Sequence, residues 1–306
     1  MYEKYYSLTD KPFNMTPDSK FFYPSSKHEE ALNCLLLAIS DRNGFVVITG
    51  EIGSGKTTVC RTLLNKLDPT TKVAYILNTH LGKKELLTTL LEDLEIEYRS
   101  NSKTHIMSAI NKYLLEQISK DINVVLIIDE AQNLTPSVLE EVRMLSNLET
   151  EKEKLIQIIL IGQPELKKKL EMPKLEQFKQ RVVMQYHIQP LNKTETAEYI
   201  YHRLTKAGGD KFIFNSEAID EIFAYTKGVP RLINLACHHA LISGLVYESK
   251  RITKEIALET IHELIHGLGS KPSEKSAEID PASQADEMLR KMLMADNKDI
   301  GGFTNG

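Results

Sequence analysis

The stretch Phe45-Val46-Val47-Ile48-Thr49-Gly50-Glu51-Ile52-Gly53-Ser54-Gly55-Lys56-Thr57-Thr58-Val59-Cys60 decides the fold. An apolar run the length of a buried strand leads into a glycine loop. Val59, Cys60, Leu63, Leu64 and Leu67 then recur at helical spacing until Asp68-Pro69 stops the helix. Gly50 to Thr57 fits Gly-x-x-x-x-Gly-Lys-Ser/Thr, a pattern with a physical mechanism. Gly53 and Gly55 let the backbone curl tightly, so that the N–H groups of the loop, with Gly50, Gly53, Ser54 and Gly55 as its nucleotide-binding candidates, converge on the β-phosphate at a helix N-terminus. The Lys56 ammonium then reaches the β and γ oxygens of ATP, the Thr57 hydroxyl ligates Mg²⁺, and Thr58 adds a contact near the α-phosphate. A strand directly before the loop and an amphipathic helix directly after it oppose a chance match.

Further along, apolar strands alternate with helical patterns. Val73–Leu77, Asn123–Ile128, Leu155–Ile161 and Val182–Ile188 read as strands. Helices are expected at His28–Ser40, at about 83–95 and 104–120, and after Pro136, the last burying Leu139, Val142, Met144 and Leu145. Such alternation predicts an α/β fold, a parallel sheet flanked by helices. Val124-Val125-Leu126-Ile127-Ile128 ends in Asp129-Glu130, at the carboxyl edge of the sheet where open α/β folds bind ligands. Asp129 is the candidate for the Mg²⁺ shell and Glu130 for orienting and activating the attacking water, which favours hydrolysis over phosphoryl transfer. Asp129-Glu130-Ala131-Gln132 also resembles the acidic motif of superfamily 2 helicases. Those enzymes need a second RecA-like domain, and the C-terminal part here is helical and too short.

From Leu191 to about His266 the periodicity is helical only, with segments near 193–206, 216–226, 231–247 and 253–265. Four regions follow: an aromatic-rich arm packed on the core (1–27), an α/β nucleotide-binding domain (28–190), a small all-α lid (191–266) and a flexible tail (267–306). Met288, Leu289, Met292 and Leu293 mark a possible short helix in that tail.

Three single polar residues add to the site. Gln163, after the strand Leu155–Ile161, is placed to address the γ-phosphate or the catalytic water. Arg181, just before the last strand, is a candidate arginine finger for a neighbouring subunit's nucleotide, and Arg231, at a helix start in the lid, is a candidate to couple closure to the phosphates. Lys167-Lys168-Lys169 is interleaved with Glu165 and Glu171, which favours a solvated mixed face over a DNA track.

Composition sets outer bounds. At 42% hydrophobic and 26% charged, with a net charge of −4, the chain is ordinary for a globular protein and has no global attraction to nucleic acid. No apolar stretch approaches the ~20 residues of a spanning helix. Cys34, Cys60 and Cys237 lack metal or redox spacing and read as reduced core residues of a cytosolic protein; the histidine pairs lack a third ligand.

Taken together these residues resemble the AAA+ ATPases of the ExeA/GspA (general secretion pathway protein A) family, relatives of the ATPases that drive bacterial transposition. The resemblance runs over about residues 1–266. It rests on Lys11-Pro12-Phe13, Thr16-Pro17-Asp18, Phe21-Phe22-Tyr23, the glycine loop, Ile128-Asp129-Glu130-Ala131-Gln132, Gly162-Gln163-Pro164-Glu165-Leu166, Gln180-Arg181 and Gly228-Val229-Pro230-Arg231. It implies that Gln163 is sensor 1, Arg181 the trans-acting arginine and Arg231 sensor 2. It also implies ATP-dependent ring or filament assembly. Secretion members continue into a transmembrane helix and a peptidoglycan-binding domain, and this sequence stops at Gly306 with neither, so cell-wall binding by the chain itself is not expected. The leading expectation is a cytoplasmic ATPase that remodels a protein partner in a cell-envelope secretion or polysaccharide-export machine. A DNA-associated ATPase of transposition or replication and a slow nucleotide-gated switch are the alternatives.

Overall fold

The computed structural model describes residues 1–16, 18–42, 44–98, 102–151 and 153–267. The 268–306 segment, with the helix expected at about 284–295, lies outside the described residues. In chain order the elements are α1 (Tyr2–Tyr5), α2 (Ser26–Ser40), β1 (Phe45–Gly50), α3 (Lys56–Lys66), β2 (Lys72–Ile76), α4 (Lys83–Asp93), α5 (Lys103–Ile118) and β3 (Val124–Ile128). Then follow α6 (Pro136–Leu145), β4 (Gln157–Gly162), α7 (Pro164–Leu170), α8 (Glu176–Lys179), β5 (Val182–Ile188), α9 (Lys193–Lys206), α10 (Ser216–Thr226), α11 (Pro230–Val246) and α12 (Lys254–His266). The chain divides into two units. One comprises Ser26–Glu51 and Gly55–Gln189; the other comprises Met1–Ser25, Ile52–Ser54 and the chain from Pro190.

The first unit is built on a parallel five-stranded sheet in the order β2-β3-β4-β1-β5. Every residue of β1, β3 and β4 is buried, as the unbroken apolar runs require of interior strands; β5, at an edge, alternates between partly buried and exposed positions. Leu86, Leu87, Leu90 and Leu91 of α4 and Ile106, Ile110 and Leu114 of α5 pack into the core, each side chain contributing about 1.5–3 kcal/mol of burial. On α6 the buried face is Val138, Leu139, Val142 and Leu145, and Met144 is exposed. Positions 138, 142 and 145 share a helical stripe that 144 does not, so the expected burial of Met144 is corrected. Cys34 is only half-buried, whereas Cys60 and Cys237 are core residues as expected. The topology matters most at one edge. It makes β1, β3 and β4 neighbours, so the chain segments leaving Gly50, Ile128 and Gly162 emerge side by side.

In the second unit, α9 to α12 form a helical cluster around Ile200, Leu204, Ile222, Ile233, Ala236 and Leu241. The aromatic arm is part of this unit. Tyr2, Tyr6, Phe13 and Phe21 are buried in the same cluster, with Phe13 edge-on to Phe214 at 6.0 Å. Buried Arg203 bonds the carbonyl of Pro12 and the hydroxyl of Tyr199 and lies 5.0 Å from the Phe21 ring centre. Such rings and cations satisfy a helical bundle too small to close its own core. Gly228 adopts φ +80°, and a Cβ there would lie 1.8 Å from the Leu191 carbonyl oxygen. Among the described residues, no helix is long and apolar enough to cross a membrane.

Candidate active site

The glycine loop is shaped by its two left-handed glycines, Gly53 (φ +76°) and Gly55 (φ +94°), the second of which caps α3. A Cβ on Gly55 would meet His28 Nε2 at 2.7 Å, so the buried His28 ring sets how closely the loop can be approached from α2. Lys56 is buried at the first position of α3, and its Nζ donates to the carbonyls of Gly50 and Glu51, both at 2.9 Å. Burial pushes its ammonium pKa below the ordinary lysine value, opposed by the charges of Glu130, Asp129, Glu51 and Glu165. Thr57 donates from Oγ1 to Asp129 Oδ2 at 3.1 Å, so the two candidate metal ligands of the sequence are in contact. Thr58 sits on the first turn of α3, where its carbonyl accepts from Thr62.

Asp129 is 2% exposed. Burial raises its carboxyl pKa and the Glu130 charge adds to the rise. Hydrogen bonds from the Glu130 N–H, Thr57 and Tyr75 pull the other way. Glu130 adopts a left-handed backbone (φ +51°), costly for a residue with a Cβ and held here by Thr79 Oγ1 and the Asn133 N–H, which both donate to its carbonyl. The turn leaves the Glu130 carboxylate accepting from Gln132 Nε2 at 2.5 Å and from Gln163 Nε2 at 3.3 Å. Gln163 thus lies beside Glu130, at the end of β4 as β4 lies beside β3.

The oxygen set of Thr57 and Asp129 suits Mg²⁺, which takes one or two protein oxygens and fills its octahedron with phosphate and water. Among the described residues no group of three His, Cys, Asp or Glu forms a metal cage, as a magnesium site of this kind does not need one. Three residues of the cluster are not evident from the sequence: Tyr75, donating to Asp129 at 3.2 Å, Thr79, and Gln132. Gln132 stands in the motif Asp129-Glu130-Ala131-Gln132, but nothing in that motif shows its bond to Gln163.

Arg181 is not brought to this cluster. Val182, the residue after it, starts β5 opposite Phe45, the first residue of β1, whereas the loop leaves β1 at Gly50. Five strand steps place Arg181 about 16 Å from its own phosphate loop, at the opposite edge of the sheet. There it donates to Ser146 Oγ at 3.2 Å and lines a cavity of about 640 Å³ with Arg42, Arg143 and Lys154. Those three cations form ion pairs with carboxylates; among the described residues Arg181 forms none, though, after the hydrogen bonds from Arg143 and Lys154, its charge also lowers the carboxyl pKa of Glu140 and Glu149. Arg231 belongs to the helical unit together with the tip of the loop. Its N–H donates to the Gly53 carbonyl at 3.2 Å, and a Cβ on Gly53 would lie 2.5 Å from the Arg231 Cβ. In the basic run, Lys169 is not on a solvated face. Its Nζ donates to the carbonyls of Gln132 and Leu134, and burial lowers its pKa.

Residues 39–170 match the family described as AAA domain. General secretion pathway protein A of Aeromonas hydrophila is 40% identical over 253 residues, which is 82% of this chain and 46% of that protein. The chain belongs to the AAA+ ATPases of the general secretion pathway protein A family. It spans less than half the length of that curated relative. Solved structures repeat the fold at low identity. The ADP form of the ORC2 protein of Aeropyrum pernix superposes with a TM-score of 0.61 at 13% identity, over 94% of this chain and 90% of that one. Cdc6p of Pyrobaculum aerophilum gives 0.61 at 20%, over 81% and 71%. The RuvB Holliday junction branch migration motor of Thermotoga maritima gives 0.55 at 17%, over 80% and 72%. These likenesses concern architecture alone.

Proposed function

We propose that this AAA+ chain binds ATP with Mg²⁺ and hydrolyses it. The observation that carries the reading is the Glu130 carboxylate, held by Gln132 and Gln163, directly after the Asp129 that Thr57 of the phosphate loop bonds. Phosphates enter on the loop N–H groups of Gly50 to Gly55. Lys56, already buried, exchanges its two carbonyls for phosphate oxygens, an anionic partner that favours its charged form. Bound Mg²⁺ supplies neutralising charge across the phosphates, with Thr57 and Asp129 holding it. Glu130 accepts a proton from the attacking water, and Gln163 addresses the γ-phosphate.

Copies assemble as a ring or filament, and Arg181 of one copy acts on the nucleotide of the next. Its distance from its own loop supports this role. Arg231, seated against Gly53, transmits loop state to the helical unit. Similarity to general secretion pathway protein A supports a protein partner in a cell-envelope machine, with this chain on the cytoplasmic side. Lys169, tied to main-chain carbonyls, weakens the rival idea that 167–179 tracks DNA. The test is Glu130→Gln. It should retain a fluorescent ATP analogue at wild-type affinity while losing turnover by about 10²-fold or more, and it should co-purify with the partner it cannot release. Wild-type turnover in this variant would remove Glu130 as the group that activates water, and absence of turnover in the wild type would remove the hydrolytic reading.

A further inference from the structure

Gln132 touches both ends of the cluster without being part of the loop or of the acidic pair. Its Oε1 accepts from the Gln163 main-chain N–H at 3.0 Å. A backbone N–H can only donate, so this bond settles which end of the amide is oxygen and turns the NH₂ toward Glu130 Oε2, 2.5 Å away. The main chain of Gln132 is anchored as well, because Lys169 Nζ donates to its carbonyl. The fit is close on the far side: a Cβ on Gly162 would lie 2.8 Å from Gln132 Oε1. Gly162 is therefore the residue that leaves room for the amide.

We propose that Gln132 is a positioning residue that fixes the Glu130 carboxylate relative to the end of β4, so that Glu130 and Gln163 address one water and one γ-phosphate in register. This rests on the reading of Glu130 as the group that activates water. Gln163 Nε2 shares Glu130 Oε2 with Gln132. When Gln163 turns to a γ-phosphate, the Gln132 amide remains as the donor that keeps Glu130 in place. Its contribution falls on the chemical step and not on nucleotide binding, since it touches neither the loop nor the candidate metal ligands.

Two substitutions in the 306-residue chain separate this role from a structural one. Gln132→Glu keeps an oxygen to accept the Gln163 N–H but faces Glu130 with a second carboxylate. The pair either repels, swinging Glu130 away, or shares a proton, which removes the base. Gly162→Ala leaves every polar group intact and crowds the amide oxygen with its Cβ at 2.8 Å, which also meets Leu166 Cδ2 at 3.0 Å. Both variants should lose about ten- to a hundredfold in kcat, with KM and affinity for a fluorescent ATP analogue unchanged. Wild-type kcat in Gln132→Glu would overturn the proposal, as would a loss in both variants that appears equally in analogue affinity. Glu130→Gln, run beside them, isolates the underlying reading: turnover surviving there removes the base itself, whereas turnover lost there but kept in Gln132→Glu removes only the role of Gln132.

Discussion

Asp129, the proposed metal ligand, shows what burying a carboxylate costs. Burial raises its pKa in the folded chain above the value of about 3.9 expected when unfolded. A raised carboxyl pKa means that folding favours the protonated form. Ionised Asp129 therefore opposes folding at neutral pH, and this opposition fades as the pH falls through the folded pKa and is gone below the unfolded one. Asp129→Asn removes the charge while keeping an oxygen for the Glu130 N–H and leaving Thr57 and Tyr75 hydroxyls that can turn to accept. In nucleotide-free protein the variant should melt at or above the wild-type temperature at pH 7–8, with the gap closing toward pH 4, and it should lose the stabilisation that Mg-ATP gives the wild type. Melting curves across that range decide it; an Asp129→Asn chain less stable at pH 8 than at pH 5, relative to wild type, contradicts it. Much of this residue-level picture was legible in advance, because Lys56, Thr57, Asp129 and Glu130 lie in contiguous signatures whose chemistry is local. Tyr75 and Gln132 were not. Tyr75 lies 54 positions from its partner Asp129, and Gln132 lies 31 from Gln163, and no spacing rule joins such pairs.

Elements were readable where one periodicity governs them. The interior strands and the helices α9 to α12 follow from runs and stripes, and the parallel order follows from their alternation. Where the sequence misled, a second influence had taken over. Met144 is apolar yet out of phase with the stripe of α6, and the aromatic arm has no period because its rings insert singly among helices. The turn at Gly228 joins these levels, since it sets how α11 begins and where Arg231 points. The left-handed φ there disfavours any residue with a Cβ, and that Cβ would overlap the Leu191 carbonyl, whose own N–H is bonded to the Gly228 carbonyl at 3.0 Å. Gly228→Ala should cost about 3 kcal/mol, read as an earlier midpoint in urea at unchanged slope. A cost under about 1 kcal/mol would mean the turn relaxes freely.

For the assembled molecule the decisive quantity is where Arg181 acts. Its place about 16 Å from its own loop, at the far end of the parallel sheet, is the ground for the proposal that it meets the nucleotide of a neighbouring copy. A chain with a defective loop and an intact Arg181 can then serve a chain with the opposite defects. Lys56→Ala removes the phosphate ligand but leaves the far edge untouched; Arg181→Ala does the reverse, losing only its bond to Ser146. Alone, each should fall in turnover by about 10³-fold, Lys56→Ala through lost binding and Arg181→Ala with binding retained. Mixed, they should recover activity, because every contact between an Arg181→Ala loop and a Lys56→Ala edge rebuilds one complete site. If a random mixture pairs them as often as any other neighbours, about a quarter of interfaces are complete, and recovery rises with total protein as oligomers form. Turnover in the mixture no greater than the sum of the separate variants, at concentrations where the wild type is assembled and active, would place Arg181 outside the reaction.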